Sequence, residues 1–214
     1  MPLHMDTAFL ISAFVTLFVV IDPIGLTPLF VAMTSGMSPR ARRAIGLRAC
    51  LVAIVLLALF GALGEAVLGF IGISMPAFRI AGGLLLFLTA LDMLFERRTK
   101  RREDQADEED DRPDPSVFPL AIPLIAGPGS IASMILLTGE KPGVEGYFLV
   151  FAVMLAVVAI VLMLFLAAGL LERLLGRIGI VVVTRLLGML LAALAVQFVL
   201  DGLRAFGLAS GLAS

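Results

Sequence analysis

Two short stretches carry the residue types able to do chemistry within an otherwise apolar chain. The first reads Ile21-Asp22-Pro23-Ile24-Gly25-Leu26-Thr27-Pro28, the second Pro119-Leu120-Ala121-Ile122-Pro123-Leu124-Ile125-Ala126-Gly127-Pro128-Gly129-Ser130. Proline removes a backbone donor and clashes with the preceding turn, and glycine adds freedom where a chain bends. A membrane helix with both is expected to break, and unpaired backbone at that depth is tolerated only against protein or a water-filled cavity. Asp22 before Pro23 has the form of an N-cap followed by proline at the first helical position. Gly127 before Pro128 has the same form with a weaker cap. Each start offers free amides and a positive dipole end, which favour an anion. Asp22 adds a carboxylate for an ammonium or a proton, and Thr27 and Ser130 add hydroxyls near the breaks. Together Asp22, Pro23, Gly25, Thr27, Gly127, Pro128, Gly129 and Ser130 suit a small zwitterion. The plainer alternative is that Asp22 only closes its own helix break and the prolines only kink.

These stretches lie inside long apolar blocks. The chain is 60% hydrophobic and 15% charged, and blocks of about 20 apolar residues fall at 8–33, 44–72, 76–95, 117–138, 147–171 and 180–203. That length crosses a bilayer as helix, and the blocks lack the alternation of a transmembrane strand. The first block has no Lys or Arg before it and is interrupted by Asp22, so it reads as a retained helix rather than a signal peptide.

Between the third and fourth blocks, residues 96–116 run from basic (Glu96 to Arg102) to acidic (Glu103 to Asp114). Such composition cannot bury a core and predicts a disordered linker. It divides the chain into a repeat at 1–95, the linker, and a repeat at 117–214. The halves share landmarks. Asp22-Pro23 falls on Gly127-Pro128, the Gly64-Glu65 region on Leu171-Glu172, and Arg79 to Leu85 on Arg185 to Leu191, at offsets of 105 to 107. Three helices per half means that the second half enters from the opposite side, the inverted-repeat plan of secondary transporters. The expected fold is therefore all-α, with six spans as two inverted three-helix repeats, the first helix of each broken near mid-membrane.

With six spans, the 34–48, 96–116 and 172–185 connections share one side and hold most of the arginines, whereas Arg79, Lys141 and Arg204 lie on the other. The bias of basic residues to the cytoplasm then puts both termini outside. Weaker polar candidates are Arg79, Asp92, Arg185 and Gln197; helix-end pairing explains the arginines, Asp92 lies near an interface, and Gln197 sits deeper. One cysteine, Cys50, and one histidine, His4, argue against thiol exchange and histidine metal sites. No cofactor is expected. No phosphate-loop lysine, intramembrane histidine or paired acid suggests an enzyme, and nothing suggests a nucleic-acid partner. The expected partners are a small-molecule substrate and the lipid bilayer, with homo-oligomerisation left open.

The Asp22-Pro23-Ile24-Gly25 and Pro119 to Gly129 segments, with Phe78-Arg79-Ile80-Ala81-Gly82-Gly83 and Ala195-Val196-Gln197, closely resemble the MarC family of bacterial inner-membrane proteins. The resemblance covers essentially all the membrane part. It implies six helices, a distant relation to LysE-like exporters, and proton-coupled transport of small neutral amino acids such as alanine and glycine. It brings no catalytic residue set. The expected function is thus a secondary transporter of small neutral amino acids or similar zwitterions, with an ion channel or ion carrier using the same broken-helix cavity as the alternative.

Overall fold

The computed structural model describes residues 3–34, 36–95 and 114–207, and among these every regular element is helical. The order is α1 (Leu3–Ile21), α2 (Pro23–Met33), α3 (Pro39–Ile71), α4 (Met75–Leu94), α5 (Ser116–Ile125), α6 (Pro128–Glu140), α7 (Val144–Leu166) and α8 (Ala168–Ala205). Most of the charged linker, 96–113, lies outside the described residues, and α5 already begins at Ser116, inside the range read as linker.

Five stretches are long and apolar enough to cross a membrane: Thr7–Met33, Pro39–Ile71, Met75–Leu94, Val144–Leu166 and Ile178–Ala205. A sixth is formed if α5 and α6, which meet at 55°, count as one. The span in α8 starts late because Gly176 (φ 60, ψ 176) leaves the helical region and separates it from the segment before. Helix starts follow local chemistry. Ser38 and Ser74 accept from the backbone N–H of Ala41 and Ala77, each with proline in the first turn.

α3 shows how the spans are sided. Its buried row, Ile45, Gly46, Ala49, Cys50, Ala53, Leu57, Gly61, Gly64 and Leu68, is mostly small. Leu47, Leu51, Val55, Leu59, Leu63 and Val67 are exposed. Large groups outward and small ones inward is membrane packing, where lipid is as apolar as leucine and close backbone approach provides the attraction. α3 packs on α5, α6 and α7; α7 also meets α1 and α2; α6 meets α4; and α8 packs most extensively along α4.

The α4–α8 pair is antiparallel and glycine-mediated. A Cβ on Gly83 would sit 2.8 Å from the Ala195 carbonyl oxygen, and one on Gly188 would sit 3.3 Å from the Ala90 carbonyl oxygen and 2.9 Å from Met93 Cβ. Each helix thus rests a glycine on the other's backbone. One interior cluster joins α1, α2, α3, α5 and α7, and includes Leu17, Ile21, Leu26, Phe30, Leu57, Leu120, Met154 and Phe165. A second gathers Val19 and Val20 with Leu86, Ala90, Met93, Leu136, Leu191 and Ala195. α1 lies between the two. Beyond them, Arg48 pairs with Asp114. The Asp114 carboxyl is held below its usual range, first by its bond with Ser116 and then by Arg48, so this tie persists at neutral pH and is lost on acidification through the lowered value.

Gly83→Val must push α4 from α8. It is expected to lower stability by about 2 kcal/mol, read as an earlier thermal unfolding midpoint in detergent. Gly69→Ala, with open space around it, is expected to stay within about 0.5 kcal/mol of the parent.

Candidate functional site

The junction of α1 and α2 is built on Asp22. It is 1% exposed, and its backbone is left-handed (φ 57, ψ 64), a conformation that aspartate tolerates better than most residues. Its N–H still donates to the Phe18 carbonyl and its carbonyl accepts from Leu26, so the chain stays bonded on both sides. Pro23 follows without an N–H. The Asp22 carboxylate reaches forward and accepts from the Gly25 N–H at 3.0 Å, the geometry of a helix N-cap.

Gly25 has a different role from the one its sequence context suggests. It needs no unusual φ. A Cβ there would fall 2.2 Å from Asp22 Oδ2, so glycine is required because the carboxylate occupies that space. Thr27 Oγ1 donates to the Pro23 carbonyl at 2.9 Å, the back-bond of a helical threonine to the turn before it.

The junction of α5 and α6 uses more irregular backbone. Within α5, Phe118 and Ile122 are extended, both X–Pro bonds that follow them are cis, and Leu120 and Ala126 donate to carbonyls five residues back. Gly127 is extended (φ −86, ψ 171), and α6 starts at Pro128 with no side-chain cap. Ser130 is buried, and its hydroxyl lies 2.7 Å from the Ile125 carbonyl and 3.0 Å from that of Gly127. Gly129 and Gly127 are half-buried and Pro128 is exposed.

The two junctions are neighbours. A Cβ on Gly129 would lie 3.2 Å from Val20 Cγ1 and 3.8 Å from Thr89 Oγ1. The head of α6 therefore packs against α1 two residues before Asp22. Elsewhere in the described helices lie buried hydroxyls that the sequence reading missed. Thr16 on α1 and Ser133 on α6 are fully buried and their oxygens have no hydrogen-bond partner. Thr184 on α8 is similar. Ser133 was detectable, since Ser130 and Ser133 at i and i+3 share a helix face. Thr16 carried no signal beyond being polar in an apolar block.

The weaker candidates separate from the junctions. Arg79 lies 3.9 Å from Glu140, not from Glu65, which is exposed. Gln197 is exposed and donates to Asp201, which also binds Arg204. Asp92 is half-buried and Arg185 exposed. Among the described residues no group of histidine, cysteine or acidic side chains could hold a metal ion.

Long apolar helices packed through small residues define a multi-pass integral membrane protein. The chain belongs to the MarC family of integral membrane proteins, whose pattern matches residues 7–206. It is 36% identical to the Escherichia coli K12 inner membrane protein YhgN over 91% of this chain and 96% of that one. It is 33% identical to the Bacillus subtilis membrane protein YvbG, over 94% and 96%. A membrane protein of Methanocaldococcus jannaschii is 37% identical over 94% and 98%. All three are named only as UPF0056 membrane proteins. No solved structure matches the chain.

Gly25→Ala must displace the Asp22 carboxylate, and Asp22→Ala removes it. Each is expected to cost about 1–2 kcal/mol of stability. The double variant is expected to cost little more than either alone, because both remove one interaction. Additive losses in thermal unfolding would show that Gly25 does not act through Asp22.

Proposed function

We propose that this protein is a secondary transporter of small neutral amino acids or similar zwitterions, coupled to protons. Its site would lie where two interrupted spans meet in the membrane. The observation that carries the reading is the packing of Gly129, at the uncapped head of α6, against Val20 beside buried Asp22. In this reading the α6 head binds the substrate carboxylate through its first-turn amides. Asp22 takes the proton or the ammonium group, as expected of a buried acid within a span. Thr27 and Ser130 already donate to carbonyls and so present acceptor lone pairs, whereas Thr16 and Ser133 have hydrogens to donate.

The packing scheme supports two inverted halves rocking about this site. Exchanging the halves turns α2–α7 into α6–α3, α1–α7 into α5–α3, and α2–α8 into α6–α4, and these pack in both forms, whereas α1–α6 and α1–α8 pack without an equal counterpart. The α3–α7 and α4–α8 pairs map onto themselves, as elements beside a two-fold axis must. The antiparallel run of α4 against α8 supports the same plan. The clustering of Arg40, Arg42, Arg43 and Arg48 at the head of α3 favours that end facing the cytoplasm and both termini outside. The inner-membrane name of the Escherichia coli relative favours the inner membrane as the location. No enzymatic step is part of this reading; its partners are the substrate and the bilayer.

Asp22→Asn separates the roles of Asp22, because asparagine also caps helices but carries no charge. Purified protein in proteoliposomes is expected to show saturable alanine counterflow and accumulation driven by a pH gradient. Asp22→Asn is expected to fold normally and to lose gradient-driven accumulation by about tenfold or more, as removal of a proton site demands. Full pH-driven accumulation in that variant would remove Asp22 from the coupling. Single-channel currents without counterflow would favour the ion-pathway alternative.

A further inference from the structure

Arg42 sits in the first turn of α3, far along the chain from both junctions. Its guanidinium carbon lies 5.2 Å from the centre of the Phe30 ring. Phe30 in turn stacks on Phe165 at 4.2 Å with the rings 4° from parallel, and both rings are buried. Gly46, one turn further along α3, lies against the same group: a Cβ there would be in ordinary contact with Phe30, Leu162 and Phe165 at 3.5 to 3.7 Å. The guanidinium is therefore held against a fixed aromatic floor built from α2 and α7.

Two of its nitrogens, Nε and Nη2, are buried and have no hydrogen-bond partner. These two donors form one edge of the guanidinium, the fork that matches both oxygens of a carboxylate or phosphate. Leaving buried donors of a charged group unmet is costly. The cation–π contact engages the ring face and leaves the edge unused. The position adds to the anomaly. Arg40, Arg42 and Arg43 occupy the first turns of a helix, the end where its dipole favours negative charge. Nearby Arg48 already has Asp114, while Arg40 and Arg43 are exposed.

We propose that the Nε/Nη2 edge of Arg42 is a binding site for an oxyanion, the phosphate of an anionic lipid or a small free phosphate or carboxylate. The edge is covered in this conformation, so the anion enters as the groups over it move aside, and its binding stabilises that opened arrangement. The site is independent of the transport reading and of Asp22.

The test uses the full chain in nanodiscs of phosphatidylcholine alone, phosphatidylcholine with phosphatidylglycerol, or phosphatidylcholine with inorganic phosphate in the buffer. The thermal unfolding midpoint of the parent is expected to rise by about 3 °C or more when an oxyanion is supplied. A rise with phosphatidylglycerol alone identifies the lipid as the source; a rise with inorganic phosphate identifies a free oxyanion; either supports the site. Arg42→Gln is expected to lose the rise. Arg42→Lys, which keeps the charge without the fork, is expected to lose most of it, and carries the comparison should Arg42→Gln fail to fold. Arg43→Gln, in the same turn but exposed, is expected to keep it. The proposal is overturned if neither anion raises the parent, if Arg42→Lys keeps the full rise, or if Arg43→Gln loses as much as the Arg42 variants.

Discussion

A carboxylate buried in an apolar span is the constraint from which the rest of the account follows. Asp22 lies between helices that would otherwise run on, in a left-handed conformation that most residues avoid. Its carboxyl oxygen accepts from the Gly25 amide. The arrangement constrains its neighbours: proline starts the next helix, and glycine stands where the carboxylate lies. A helix needing only a kink could use proline alone.

The second junction reaches a related end without the acid. Gly127 starts α6 without a side-chain cap, and Ser130 turns its hydroxyl back to the preceding carbonyls. One junction therefore brings its own acid group and the other leaves a helix head without a side-chain cap. They pack side by side through Gly129 and Val20, and of the two only the first carries an acid.

Much of this was legible in the sequence because the physics is local. Apolar block lengths located the spans, and Asp-Pro and Gly-Pro located the helix starts at 23 and 128. Other features depend on packing and were not legible. Gly25 looked like a flexible point and proves to be a space for a carboxylate. Thr16 and Ser133 are common residues whose meaning comes only from burial without partners. Arg42 read as one more basic residue of a positive connection, and only the stack of Phe30 on Phe165 sets it apart. Gln197 could not be sided from its block; α8 turns it outward to Asp201.

The central claim is that the two interrupted spans touch and hold a guest between them. A disulfide tests it directly: Val20→Cys with Gly129→Cys, in a Cys50→Ala background that removes the native thiol. A Cβ at 129 would lie 3.2 Å from the Val20 side chain, which brings the two positions close enough to attempt a bridge. The account predicts rapid bridging under mild oxidation in membranes, slowed by excess alanine. Failure to bridge would contradict the meeting of the spans, and bridging indifferent to alanine would contradict a guest between them.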